Sequence, residues 1–274
     1  MKTFENSAFI AFDNDEVGLL FDDSSHPLYP IKYYNVINGI GLETREDCSY
    51  YGFVYKGNYG LVTKLDQTEP YDLLQGMYYS ISGTHLLIDK NCTNDCKAIV
   101  IEVEHNKGIY PKNKYSAVFT MGGPIEEKGR LNYIDGCTDS LLIPPVKMGD
   151  PCFNHLHFPT SIVQTPHTHP SHRIGIVARG EGLCVTPFGN LRLEPGMIFV
   201  IKEWNGEDWD VGLDGKQYEV GNHKFNTGAE SMDVIAFHPD SDFGPTDEVH
   251  PMINRTIVDG IPASEIDEIR TKDA

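Results

Sequence analysis

Apolar positions along this chain fall in short runs that alternate or are rich in β-branched and aromatic residues, and few follow a helical period. "YYGFVYKGNYGLVTKL" (50–65), "MYYSISGTHLLID" (77–89), "CKAIVIEVEH" (96–105) and "YSAVFTMGG" (115–123) are such runs. Gly, Asn, Asp and Pro separate them at the roughly 8–12-residue spacing of an all-β sandwich or barrel. The pattern resumes from 140 with "SLLIPPV", "CFNHLHF", "RIGIVARG", "GLCVTPF", "NLRLEPGMIFVI" and "MDVIAFHP". Only "ASEIDEIRTKDA" at 263–274 reads as a helix, opened by Ser264 with Asp267 three residues on. A Pro- and Gly-bearing segment over 123–150 divides two strand-rich halves. "LLQGMYYSISG" in the first half has an echo in "RLEPGMIFVI" in the second, which points to a duplicated β-fold.

The chemistry concentrates in "QTPHTHPSHRIGIVARGEG" (164–182), where His167, His169 and His172 fall within six residues. On extended backbone alternate side chains share a face, so His167 and His169 can point into one cavity. A polar loop rich in histidine is the plain alternative. Imidazole suits Fe, Zn, Ni or Cu, and a pair of imidazoles needs a third ligand to make a usable site.

The surroundings of this pair resemble the first motif of the cupin superfamily: His-x-His, three or four residues, Glu, six residues, Gly. Here His167-Thr-His169 is followed by Pro170-Ser-His172, then Arg173, then six residues to Gly180, and "VARGEG" resembles the hairpin turn. "LEPGMIFVI" (193–201) is similar to the turn and strand of the second motif, and His223 with Asn226 to its His and Asn. Three departures stand out, one of them a His223-to-Asn226 gap one residue shorter than the motif's. Arg173 occupies the Glu ligand's place, and an insertion over 202–222 delays His223. His157, and beside it His155, are the reserve candidates for the third ligand.

The resemblance implies an all-β protein of two double-stranded β-helix, jelly-roll-like barrels. A degenerate N-terminal cupin-like domain without metal would span 1–125, since its histidines (His26, His85, His105) form no His-x-His. A metal-binding C-terminal cupin domain would span 126–274. It would hold one divalent ion, Fe(II) in preference to Mn, Ni, Co or Zn, on His167, His169 and His223. Arg173 and His172 would face a small anionic substrate. The activity implied is that of the three-histidine cupin dioxygenases; metal-dependent isomerases or lyases and non-catalytic ligand binders are the alternatives.

Arg173 sharpens the substrate expectation. Two unit positive charges about 6 Å apart, at an effective dielectric of about 20, repel by about 3 kcal/mol. A divalent ion on neutral imidazoles beside a guanidinium therefore calls for an anion between them, or for a protein carboxylate (Glu194, Glu181 or one in the insertion) on the Arg.

Composition narrows the remaining choices. Forty acidic against 22 basic residues give a formal charge of −18, which disfavours nucleic acid as a partner. No apolar stretch is long enough for a membrane helix or resembles a signal-peptide core. Six cysteines are too sparse for a disulfide scaffold, so reduced thiols and a cytoplasmic location are expected, with a homodimer as the expected assembly. Cys92 and Cys96 in "CTNDC" have no second pair to complete a zinc site.

Overall fold

Strands make up almost all of the regular structure, as the periodicity predicts. The computed structural model describes residues 1–63, 70–83, 85–88, 95–105, 119–145, 150–240, 257–258 and 261–262. The expected helix at 263–274 lies outside these residues. Among those described, no helix is long and apolar enough to cross a membrane, and the five described cysteines, all buried, are free thiols.

Within residues 1–240 the strands build two antiparallel barrels, each a large sheet facing a small one. In the first barrel the large sheet runs Thr120–Gly122, Tyr78–Ser82, Cys48–Lys56, Lys97–Glu104, Ile31–Ile37, Gly18–Asp22. Its small sheet runs Tyr71–Leu73, Tyr59–Thr63, His85–Ile88. In the second barrel the central strands of the large sheet are Ile198–Ile201, Arg173–Gly180, Met232–His238 and Cys152–Phe158. Its small sheet runs Leu191–Leu193, Gly182–Val185, Lys224–Asn226. Residues 241–274 form a separate unit, of which an antiparallel pair, Ile257–Val258 with Ile261–Pro262, is described.

Several of these strands read as continuous apolar runs because both of their faces are covered. One face of the second large sheet (Phe153, Ile174, Ile176, Val200, Ile235, Phe237) packs against Tyr33, Tyr51, Phe53, Ile99 and Ile101 of the first. The opposite face (Leu156, Phe158, Phe199, Val234, Ala236) lines the interior of its own barrel together with Phe225. Strict alternation along each strand thus decides whether a side chain meets the other half or its own barrel's cavity.

The first strands do not stay with the half that encodes them. Phe9–Phe12 pairs with Ile198–Ile201 and Lys2–Glu5 pairs with Phe9–Phe12, so residues 2–12 extend the second barrel's sheet. The single boundary expected at 125 does not capture this, because strand pairing brings Ile10 and Val200 together regardless of sequence separation.

The internal echo is structural. Gly76 and Gly196 both take φ +85°, which favours glycine. Gly76 N–H donates to Val54 O and Gly196 N–H to Val177 O, each at 2.8 Å. Each turn then leads from a small-sheet strand into a large-sheet strand.

Candidate metal centre

His167 and His223 lie on two segments that exchange backbone hydrogen bonds, His167 N–H to His223 O at 3.0 Å and His223 N–H to His167 O at 3.1 Å. Two residues beyond His167, His169 completes a triangle of imidazoles with ring centroids 5.0, 4.5 and 5.3 Å apart. One ring nitrogen from each lies within 4.8 Å of the other two.

The insertion that separates His223 from Ile201 is a closed excursion. It carries the small hairpin Trp209–Val211 with Gln217–Glu219, and its two ends meet. A Cβ on Gly221 (φ +80°) would sit 2.2 Å from the Lys202 carbonyl oxygen, so only glycine closes the base of the loop. Trp204 N–H donates to His169 O at 2.8 Å, which ties the insertion to the site. His223 therefore arrives where the sequence motif requires it despite the added residues.

The donor chemistry fits a divalent metal. Nδ1 of His167 is 2.9 Å from Thr165 O, and Nδ1 of His223 is 2.9 Å from Gly221 O. A carbonyl only accepts, so both Nδ1 atoms carry the proton and both Nε2 lone pairs are free for a metal. Burial pushes His223 down to about 3, with His167 adding to the effect. Burial, then Arg173 and the neighbouring imidazoles, hold His169 far below its ordinary value. At neutral pH His169 and His223 are therefore neutral imidazoles, the form that ligates.

The imidazoles open into a cavity of about 20 Å³, room for one water-sized group. Phe199, Phe225 and Val234 wall it, and Arg173 and His238 also line it. A wider groove of about 470 Å³, beside Tyr78, Glu126, Arg130 and Leu141, shares no lining residue with it. There the two charges satisfy each other, Arg130 Nε donating to Glu126 Oε1 at 2.9 Å, so size alone does not make it the site of chemistry.

Arg173 reaches the cavity but is not a free cation. Its Nη1 lies 2.7 Å from Asp240 Oδ1 and also bonds Ser171 Oγ, which donates to Asp240 at 2.6 Å. Burial works to raise the Asp240 carboxyl, but Arg173 and Ser171 outweigh it and hold it low. The carboxylate partner is thus Asp240, while Glu181 and Glu194 pair with Arg192.

The expectation that His172 faces the substrate does not fit this geometry. Neighbours on a strand point to opposite faces, so with Arg173 inward His172 turns toward the first half. There its Nδ1 accepts the Glu203 N–H at 2.9 Å, and its ring lies edge-on to Phe21 with Asp23 Oδ2 3.5 Å away. The reserve candidate His157 also stands outside the cluster, with Nδ1 2.9 Å from Asp233 Oδ1. His155 Nε2 shares that same oxygen at 2.7 Å. Both lie on the sheet face opposite Leu156 and Phe158, which line the cavity.

His238, buried and lining the cavity, was not among the residues singled out in the sequence. Its signal was present: in "MDVIAFH" it shares alternation with Val234 and Ala236, which face the barrel interior.

No protein-family model matches the sequence, and no curated protein is similar to it. Solved structures share the fold. A protein described as glyoxylate-induced, from Pseudomonas aeruginosa, superposes with a TM-score of 0.58 at 10% identity, over 88% of this chain and 92% of its own. Ylba from E. coli gives 0.58 at 12% identity, over 89% and 96%. A cupin 2 conserved barrel domain protein from Leptotrichia buccalis gives 0.49 at 12% identity, over 86% and 90%.

Proposed function

We propose that this chain, which has the cupin fold, is a metal-dependent enzyme acting on a small anionic molecule, with an oxidation by O₂ at iron(II) as its reaction. The observation that carries the reading is the set of three imidazoles at His167, His169 and His223, joined by no carboxylate ligand among the described residues. Such a set leaves the charge of a divalent ion uncompensated, and Arg173 and Asp240 already cancel each other. The net positive charge of a loaded site therefore favours an anion. Iron(II) bound there would supply open coordination positions and one-electron chemistry; the other divalent metals would supply Lewis acidity.

The chain's own residues do the rest. Carbonyls of Thr165 and Gly221 fix His167 and His223 in their ligating tautomers. Phe199, Phe225 and Val234 keep the cavity small and lower the polarity around it, which strengthens electrostatic contacts inside it.

The test is metal analysis of protein purified without added metals, followed by O₂ uptake with a panel of small carboxylates. About one metal per chain and substrate-dependent O₂ consumption are expected. Turnover under strictly anaerobic conditions would replace the oxygenase with a Lewis-acid isomerase or lyase. Saturable binding without turnover on any reconstituted metal would leave a binding protein.

A further inference from the structure

Two residues that line the cavity beside the imidazole cluster each carry a buried nitrogen that the protein itself does not satisfy. Nε of Arg173 and Nδ1 of His238 are buried and have no hydrogen-bond partner. Both residues are at least nine-tenths buried, with 5% and 7% of their surface exposed. Their juxtaposition follows from the strand register. Ile174 pairs with Phe237, so Arg173 and His238 occupy the next rung of the same ladder. Both then face the barrel interior, and both line the cavity with His167, His169 and His223.

Buried polar groups in folded proteins are almost always paired, and a guanidinium cannot shed a proton to escape the requirement. Asp240 and Ser171 take up Nη1. The buried groups still unpartnered are Nε–H of Arg173 and Nδ1 of His238, on residues that line a space of about 20 Å³. That space admits a single small polar group, not the body of a large ligand.

We infer that Arg173 Nε–H and His238 form an anion seat beside the three-histidine cluster, sized for one terminal atom of a small anion, such as a carboxylate oxygen or an azide nitrogen. The inference rests on the metal reading above and adds to it a residue, His238, and the end of the substrate that the site holds. Arg173 donates from Nε while its charge stays balanced by Asp240. The seat therefore selects by hydrogen-bond geometry more than by net charge. His238 meets the anion as a neutral imidazole, donating from whichever nitrogen carries its proton.

The full chain loaded with cobalt(II) allows the test without knowledge of the natural substrate. Azide is titrated against the cobalt absorption bands in wild type, His238→Phe and Arg173→Lys. Saturable azide binding to wild type is expected, weakened by roughly tenfold or more in each variant at unchanged cobalt stoichiometry. Lysine can keep the ion pair with Asp240 but offers no donor at the Nε position, so Arg173→Lys is decisive if His238→Phe fails to fold. Azide affinities within about twofold of wild type, or no azide binding to the cobalt protein, would overturn the seat and leave the metal reading standing. Failure of wild type to take up cobalt at all would overturn both.

Discussion

Arg173 and Asp240 form a partly buried ion pair, Nη1 to Oδ1 at 2.7 Å, at the edge of the candidate metal cavity. Removing one member of such a pair leaves the other charge uncompensated. Arg173→Ala should therefore lower unfolding stability by about 3 kcal/mol, read as a drop in the urea midpoint. Arg173→Glu, which would restore the carboxylate ligand of the first cupin motif, should destabilise further, because it sets a second carboxylate against Asp240. Variants with unchanged midpoints would show that the pair contributes nothing.

The metal reading makes a set of exclusive demands. His167→Ala, His169→Ala and His223→Ala should each abolish metal binding, since two imidazoles cannot fix the coordination geometry. His157→Ala should retain it, because its Nδ1 is held at Asp233 Oδ1, 2.9 Å away. Metal content after dialysis checks all four; full occupancy in any of the first three is the adverse result.

His172 should prove to be a packing residue between the halves. Its contacts are Phe21, Asp23 and the Glu203 backbone, none of which lines the cavity. His172→Ala should thus lower thermal stability while leaving metal stoichiometry and azide affinity within about twofold of wild type. A selective loss of azide affinity would bring it back into the site.

Metal-free protein should lose stability as the pH falls. Burial holds His223 and His238 at about 3, and His169 lower still, against an ordinary 6.5. Below pH 6.5 the unfolded chain takes up protons that the folded one refuses. The stability is complete above that pH and declines toward 3, at about 1 kcal/mol per pH unit for each imidazole. Asp23 opposes this: burial raises it to about 6, so its contribution is present below its ordinary 3.8 and lost as pH rises through 6. Burial also holds His105 and His172 below 6.5, so the histidines together outweigh Asp23 and give a net fall. Urea midpoints of metal-free protein at pH 7, 6 and 5 should decrease in that order; a flat or rising series contradicts the assignment.

What the sequence disclosed and what it hid differ by range. Alternation and turn residues gave the strands, and the local spacing of His167, His169 and Gly180 pointed to the candidate site. His223 was legible through its following Asn226, because the insertion closes on itself at Gly221 and leaves the register after it intact. Asp240 as the partner of Arg173 was hidden by 67 residues of separation, bridged only by strand pairing. Placing His172 and Arg173 on one face was avoidable, since period-two alternation forbids it for adjacent strand residues. The run "FIAF" at 9–12 was not singled out as a strand because its partner, Ile198–Ile201, lies far along the chain.

That last pairing sets a schedule for synthesis. Phe9–Phe12 leaves the ribosome long before Ile198–Ile201 exists, and at about 5–20 residues per second the wait is on the order of ten seconds or more. Meanwhile the intervening strands can assemble most of the first barrel, while the FIAF segment remains an unpaired apolar edge. Such an edge is a template for foreign strands until its own partner arrives. The second barrel, which carries the candidate metal centre, thus has its sheet completed by two strands far apart in the chain, and pairs of high sequence separation are slow to form.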